Sequence, residues 1–461
     1  MRPLVIASLA VALALPFSAQ AQDLTAKAKA LRDRALADRT AYELTESLTT
    51  EVGARPVGSP AMERARDWGV AKLKALGFSN VRVEEFRAES WLRGEESAEV
   101  VAPYPHKLHI LGLARSGPTP KGGIEAEIAL FGSLDELMAQ PPGALKGKIA
   151  VVSQPMPKTQ DGSGYGFINR NRTQGAAEAA RRGAVAYLTR SSSTDDTRLP
   201  HTGAMSRPKD APVIPAAALS PPDAQLLERL VARGQPVRLK LKMENTYRES
   251  VPAWNVVGEI PGTEAPDEVI VVGGHLDAWD PGTGAIDDAA GIAITTAAAR
   301  LVAAERPRRT IRLVMWGAEE LADSGEAYAA AHKDEVGKMV VVSESDSGDG
   351  PIWRVRLPKG SSKHPAMQAF AAAIAPLEVV LAPEPATSGG ADVADLVRLG
   401  APVASLSPDV TRYFDLHHSA DDTFDKVDPE KLAQSVAVWT SFLYTVAASD
   451  IDFRQLAAEA P

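Results

Sequence analysis

"EVIVVGGHLDAWDPGTGAIDDAAGIAITTAAARLVAAE", residues 268–305, runs from a near-continuous apolar strand through a polar loop into a helix of small residues. A strand buried on both faces and followed by a helix is the repeating unit of an α/β fold. The alternation continues downstream: "TIRLVMWG" reads as strand, "EAYAAAHKDEV" as helix, "KMVVVSES" as strand, "HPAMQAFAAAIA" as helix and "APVASLS" as strand. The expected core is therefore α/β, a mixed, mainly parallel sheet sandwiched by helices. Ligands of such sheets bind beyond the carboxyl ends of the strands.

The polar loop of the opening stretch carries His275 with Asp277, Asp280, Asp287 and Asp288. Carboxylates this close repel one another unless positive charge sits among them, and a metal ion meets that need. Other acids and histidines fall at further strand ends. Glu319 and Glu320 follow the strand ending at Trp316, Asp346 follows the one ending near Val342, and His418 lies in "YFDLHHSADDT" beyond an expected strand at 402–406. Singly, an HxD triplet, an acidic pair or a lone histidine is explained by a solvated surface, a cap or core packing. Solvation gives no reason for four such features to select sheet termini, so their joint placement points to a metal centre.

Composition narrows the chemistry. The chain has 461 residues, room for two or three domains, and 45% hydrophobic with 24% charged residues is the balance of a globular enzyme. It has no cysteine, which removes thiol nucleophiles and Cys-containing zinc sites and leaves His, Asp and Glu as the strong ligands. The formal charge is −9 and no basic stripe stands out, so nucleic acid is not an expected partner. "RPRRT" at 306–310 reads as a solvated turn. The opening "MRPLVIASLAVALALPFSAQAQD" has the form of a signal peptide cut after Ala21, giving a periplasmic or extracellular protein. No later run is long enough for stable membrane insertion.

The domain reading places a signal peptide at 1–21, the first part of a catalytic domain at 22–118, an insert at 119–246 and the second part of the catalytic domain at 247–461. The first part opens with a helix over 24–50, then a helix over 60–76 begun by Ser59 as cap and Pro60, then strands in "NVRVEEF" and "AEVVAP". The insert has short strands, "EAEIALFG", "GKIAVVSQ" and "AVAYLTR", with the helix "TQGAAEAARRGA" between the last two. Through "LKGKIAVV", "AAEAARRGAVAYL" and "APVIPAAALSPPDAQLLERL" it resembles the protease-associated domain, a small β-rich lid.

"GGHLDAWDPGTGAIDDAAG", "WGAEE", "SESDSG" and "YFDLHHSADDT" resemble, in order and spacing, the co-catalytic zinc exopeptidase family of zinc aminopeptidases and glutamate carboxypeptidases. The resemblance implies two Zn²⁺ per chain, with Asp287 bridging them, His275 and Asp346 completing one position, and Glu320 and His418 the other. His418 is preferred to His417 because the family's ligand directly precedes Ser or Thr. Asp277 would orient His275, Glu319 would be the general base, and His417 and Tyr413 are the candidate oxyanion donors, with His417 favoured. A cis peptide between Asp287 and Asp288 is also implied. "TSGGADVADL" at 387–396 resembles a loop near the substrate, where Asp392 would either meet an α-ammonium group or cap a helix.

The activity so implied is hydrolysis of dipeptides or short peptides with a free N-terminus. Release of C-terminal residues is the alternative, and it calls for an arginine cluster that the motif loops do not supply. A serine hydrolase is disfavoured because no serine sits in a G-x-S-x-G elbow. A binding protein that has lost its metal, or a single-zinc glutaminyl cyclase, fits the full ligand set less well. The oligomeric state is open, a homodimer included.

Overall fold

Among the residues described by the structure, a computed structural model covering 15–459, eleven strands form one mixed sheet. They are β1 (Ser79–Ala102), β2 (His106–Leu108), β3 (Ile110–Gly112), β4 (Ile124–Phe131), β5 (Ile149–Val152), β6 (Ala186–Arg190), β7 (Ala216–Leu219), β8 (Arg238–Ile260), β9 (Ala265–His275), β10 (Arg309–Trp316) and β11 (Met339–Glu344). The order across the sheet is β11-β9-β10-β8-β4-β5-β6-β7-β3, with β1 lying along β8 and β2 along β1. Residues 1–14 of the expected signal peptide lie outside the described residues.

The apolar runs form strands because both faces are covered. Ile270 and Val272 of β9 pack into one core with Ile311, Leu313 and Met315 of β10 and the helices Ala290–Ala303 and Pro429–Ala448. The alternate residues Val269, Val271, Val314 and Trp316 pack into a second core with Tyr328 and Ala329 of the helix Ser324–His332. This two-residue alternation between two apolar layers is why the runs are continuous rather than amphipathic. Strands β10, β9 and β11 are mutually parallel, with Trp316 opposite His275 and Glu344 opposite Gly273. Three strand ends thus finish level with one another on one edge.

The long antiparallel pair β1 and β8 runs from Ser79 opposite Glu259 to Ala102 opposite Arg238. One bulged strand therefore replaces the two short ones expected before residue 103. Beyond it, β3 to β7 build on two further apolar clusters drawn from residues 98–243. The helix there is Ser163–Arg181, starting earlier than its alanine-rich part suggests.

Three local expectations are corrected. The helix over 24–50 is two helices, Leu15–Ala37 and Thr40–Glu51, because Asp38 Oδ1 accepts the Thr40 N–H at 2.8 Å and breaks the first while starting the second. The strand at 402–406 does not join the parallel sheet as a full member. Pro402 has no N–H to extend a ladder, so Val403 makes an isolated parallel bridge to Val342, and Ser405–Pro408 pairs instead with Ile352–Arg356 in a three-stranded sheet. The basic run at 306–310 is not wholly solvated either. Arg309 is 1% exposed, donating to Glu268 at 2.6 Å and to the Val446 and Ser449 carbonyls at 2.9 Å. Among the described residues no helix is long and apolar enough to cross a membrane.

Candidate metal centre

His275 is the last residue of β9, Glu319 and Glu320 follow β10 in a turn, and Asp346 follows β11. Asp287 sits where the polar loop meets the helix Ala290–Ala303, and His418 follows the short helix Tyr413–Leu416. Three parallel strand ends and two loops therefore converge, where the sequence expects four strand ends.

All five expected ligands come together. His275 Nε2 is 3.0 Å from Asp287 Oδ1 and 3.5 Å from Asp346 Oδ1. His418 Nε2 is 3.1 Å from Asp287 Oδ2 and 3.1 Å from Glu320 Oε2. Asp287 thus turns one oxygen to each histidine. Glu319 joins His275 and Asp346 in a group whose ligand atoms lie within 4.8 Å of one another. His417 Nε2 is 3.7 Å from Asp287 Oδ2, farther than His418, and its ring stacks on that of His418 at 3.5 Å.

Support of the ligands differs in detail from the expectation for Asp277. His275 Nδ1 is 3.0 Å from the main-chain oxygen of Asp277 and 3.6 Å from its carboxylate. The carboxylate instead accepts the N–H groups of Glu319 at 3.0 Å and Glu320 at 3.2 Å, tying the β9 and β10 loops together. Asp288 is structural, accepting the His275 and Gly291 N–H groups at 3.0 and 3.1 Å. A Cβ at Gly274 or Gly291 would lie 2.4 or 2.3 Å from its carboxylate, so both glycines are required for that approach. The Asp287–Asp288 peptide is cis. Asp280, whose role the sequence leaves open, takes a bidentate ion pair from Arg93 at 2.8 and 3.1 Å.

Sequence reasoning missed Arg55 and Asp422. The fully buried Arg55 guanidinium donates to the carbonyls of Gly53, Leu276, Thr283 and Gly284, stitching the polar loop from beneath. Asp422 accepts the Ile286 N–H at 2.6 Å and the Asp287 N–H at 3.2 Å. Its place in "HSADDT" beside His418 was the available signal; for Arg55 the sequence carried none.

The donor set suits a metal pair. Among the described residues no lysine or arginine pairs with Asp287, Glu319, Glu320 or Asp346, and the buried Oε1 of Glu320 has no hydrogen-bond partner. Burial alone would depress the imidazoles, yet the carboxylates hold His275 well above its usual range and, led by Glu320, lift His418 to about 10. The cluster therefore demands positive charge at both histidines. Burial also opposes ionisation of Asp287, but bonds from His275 and His418 keep it well below the usual carboxylate range. Burial pushes Glu319 well above it; His275 opposes the rise, and Asp346 and Glu320 add to it. A carboxyl poised upward in this way is suited to carrying a proton.

Around this cluster, Asp392 accepts from Ser324 Oγ at 2.6 Å, and its own N–H donates to Glu344 Oε2 at 2.9 Å. The next helix, Ala394–Arg398, has no side-chain cap, so capping is not what Asp392 does. Asp392 Oδ2 and Glu344 Oε1 are buried without partners, and burial lifts Asp392 to about 7. The Tyr413 ring lies 4.9 Å from that of His417, whose Nδ1 is also buried without a partner.

Residues 255–443 match the model of peptidase family M28. Carboxypeptidase Q of Mus musculus is 37% identical over 413 residues, 89% of this chain and 86% of that one. The Homo sapiens protein of the same name is 36% identical over 415 residues, with the same shares covered. A solved structure described as a peptidase M28 precursor from Shewanella amazonensis SB2B superposes with a TM-score of 0.91 at 39% identity, covering 94% of this chain and 98% of the other. The fold is shared more distantly with an aminopeptidase from Aneurinibacillus sp. strain AM-1, with a TM-score of 0.63 and 21% identity over 91% of this chain and 98% of that one.

Proposed function

This chain belongs to peptidase family M28 and is a zinc-dependent metallopeptidase acting on peptides, and from that premise we propose that it is a binuclear zinc exopeptidase, exported by the signal at residues 1–21, that cleaves dipeptides or short peptides bearing a free N-terminus. Asp287 would bridge the pair, with His275 and Asp346 holding one ion and Glu320 and His418 the other. Bound there, zinc supplies Lewis-acid chemistry, acidifying water and polarising the scissile carbonyl. Glu319 takes a proton from the attacking water and delivers it to the leaving amine. His417, whose ring stacks on His418, donates to the developing oxyanion, with Tyr413 as the other candidate. Residues 119–246 act as a protease-associated-like lid between the two parts of the catalytic domain, 22–118 and 247–461.

The observation that carries the N-terminal specificity is the pair of buried, unpartnered carboxylate oxygens on Asp392 and Glu344 beside Glu319. Burial raises both groups above the usual carboxylate range, and an α-ammonium group placed between them would favour their ionised forms where a terminal carboxylate would oppose them. A carboxypeptidase would need a cation turned toward the cluster. The buried arginines near it are already engaged: Arg55 donates to four carbonyls, and Arg172, on the Nδ1 side of His418, to the Thr202 carbonyl and the Tyr165 hydroxyl. Acetylating the amine of a dipeptide should therefore abolish cleavage, while amidating its C-terminus should cost less. Equal rates on acetylated and free dipeptides would move release of C-terminal residues ahead.

A further inference from the structure

The loop around Thr202, in the 119–246 segment, reaches the metal centre itself. His418 Nδ1 is 3.1 Å from the Thr202 carbonyl, and the Thr202 N–H donates back to the His418 carbonyl at 3.0 Å. Beside them His201 Nδ1 meets the His417 carbonyl at 2.5 Å. The Thr202 carbonyl accepts from His418 Nδ1, which turns the opposite edge of the ring, Nε2, to the side where Glu320 and Asp287 lie. The ring orientation that a metal ligand needs is thus held by main chain contributed from more than 200 residues away in sequence.

The Thr202 carbonyl is itself held by Arg172. Arg172 Nη1 donates to it at 3.3 Å and lies 3.3 Å from His418 Nδ1, while Nη2 donates to the Tyr165 hydroxyl at 2.6 Å. The arginine is buried, and its Nε has no partner. Room for the guanidinium exists only because residue 203 is glycine: a Cβ there would lie 2.2 Å from Arg172 Nη1, and the backbone has φ +134°. Tyr165 is pinned in turn, stacked on Phe414 at 4.8 Å and edge-on to His417 at 5.3 Å. Thr202 Oγ1 donates to the Gly112 carbonyl at 2.6 Å and accepts from Arg93, the partner of Asp280. His418 adopts φ +62°, a left-handed conformation unusual for a residue with a side chain, and it persists where its surroundings over-determine it.

We propose that the 119–246 segment is an integral part of one metal position, with Arg172 acting as a positioning residue that, through the Thr202 carbonyl, holds His418 ready to bind zinc at the Glu320 side of the pair. This rests on the binuclear reading above. The segment then does more than cover the substrate: displacing its Thr202 loop would weaken one ion and spare the other, which His275 and Asp346 hold within the strand ends of the sheet.

The test is zinc affinity of the full-length enzyme, measured by competition against a chromophoric chelator, for wild type, Arg172→Gln, Arg172→Lys and Gly203→Ala. Removing a group that orients a ligand typically weakens a metal about 10- to 100-fold. Arg172→Gln and Gly203→Ala should show that loss for one of two zinc equivalents only, and Arg172→Lys should recover part of it. Two wild-type affinities in Arg172→Gln, or equal weakening of both ions, overturns the inference. If Arg172→Gln does not fold, Arg172→Lys and Gly203→Ala decide by the same criterion. A wild type that binds fewer than two ions instead overturns the binuclear reading beneath it.

Discussion

Replacing Arg55 with methionine removes the donors that hold the polar loop while keeping an unbranched, apolar side chain in the space. Arg55 is fully buried, and its guanidinium serves four main-chain carbonyls, three of them, at Leu276, Thr283 and Gly284, in the loop that carries Asp277 and leads into Asp287. A buried carbonyl left without a donor costs about 1–3 kcal/mol. Summed over four carbonyls that is an upper bound, since water can reach some of them and the desolvated cation is itself removed. Arg55 is also the cation facing the buried carboxylates of Asp422, Asp277, Asp288 and Asp287, and leaving buried charges without their counter-charge costs about 3–5 kcal/mol, which is the expected loss. Urea unfolding of the metal-free protein measures it, with Arg170→Met as the control. Arg170 pairs at the surface with Asp135, and its loss should cost no more than about 1 kcal/mol. On the binuclear reading the loop presents Asp287 to both ions, so Arg55→Met should also weaken zinc binding. An Arg55→Met protein within about 1 kcal/mol of wild type would refute the reasoning.

Two further outcomes are expected. Glu319→Gln should keep its zinc and its fold and lose about 10²- to 10⁴-fold in kcat, and full activity would place the general base elsewhere. Arg312→Met should cost about 3–5 kcal/mol at neutral pH, because it strands Glu259, now bonded by Arg312 at 2.7 Å and Asn80 at 2.8 Å. Burial would raise Glu259, but Asn80 and Arg312 leave it below its usual value near 4.5. The wild-type pair therefore stabilises fully above that value and fades as pH falls through the lowered one, so urea unfolding should show a smaller difference between the two proteins at pH 4 than at pH 7. A gap independent of pH would assign the loss to packing alone.

The strands that carry the centre were readable because burial on both faces leaves an unmistakable apolar run, as in β9 and β10. The candidate ligands were readable as a group because strand ends are where such folds put chemistry, and the resemblance of their short motifs singled out five of them. What escaped reading is what only tertiary contact creates. Arg55 meets Leu276 across 221 residues, Arg93 meets Asp280 across 187, and Arg172 meets His418 across 246, and no local pattern marks any of the three arginines. The strand expected at 402–406 failed for a related reason: its propensity was right, but Pro402 and the competing edge of Ile352–Arg356 decided its pairing.

The central claim is that Asp287, His275, Asp346, Glu320 and His418 together hold two ions. Elemental analysis of protein dialysed in neutral, chelator-free buffer tests it most directly, run on wild type and His418→Ala side by side. About two zinc equivalents per chain in wild type, and fewer in the variant, is the predicted result. A wild type that holds no zinc, or a His418→Ala protein that keeps both ions as tightly as wild type, would contradict it.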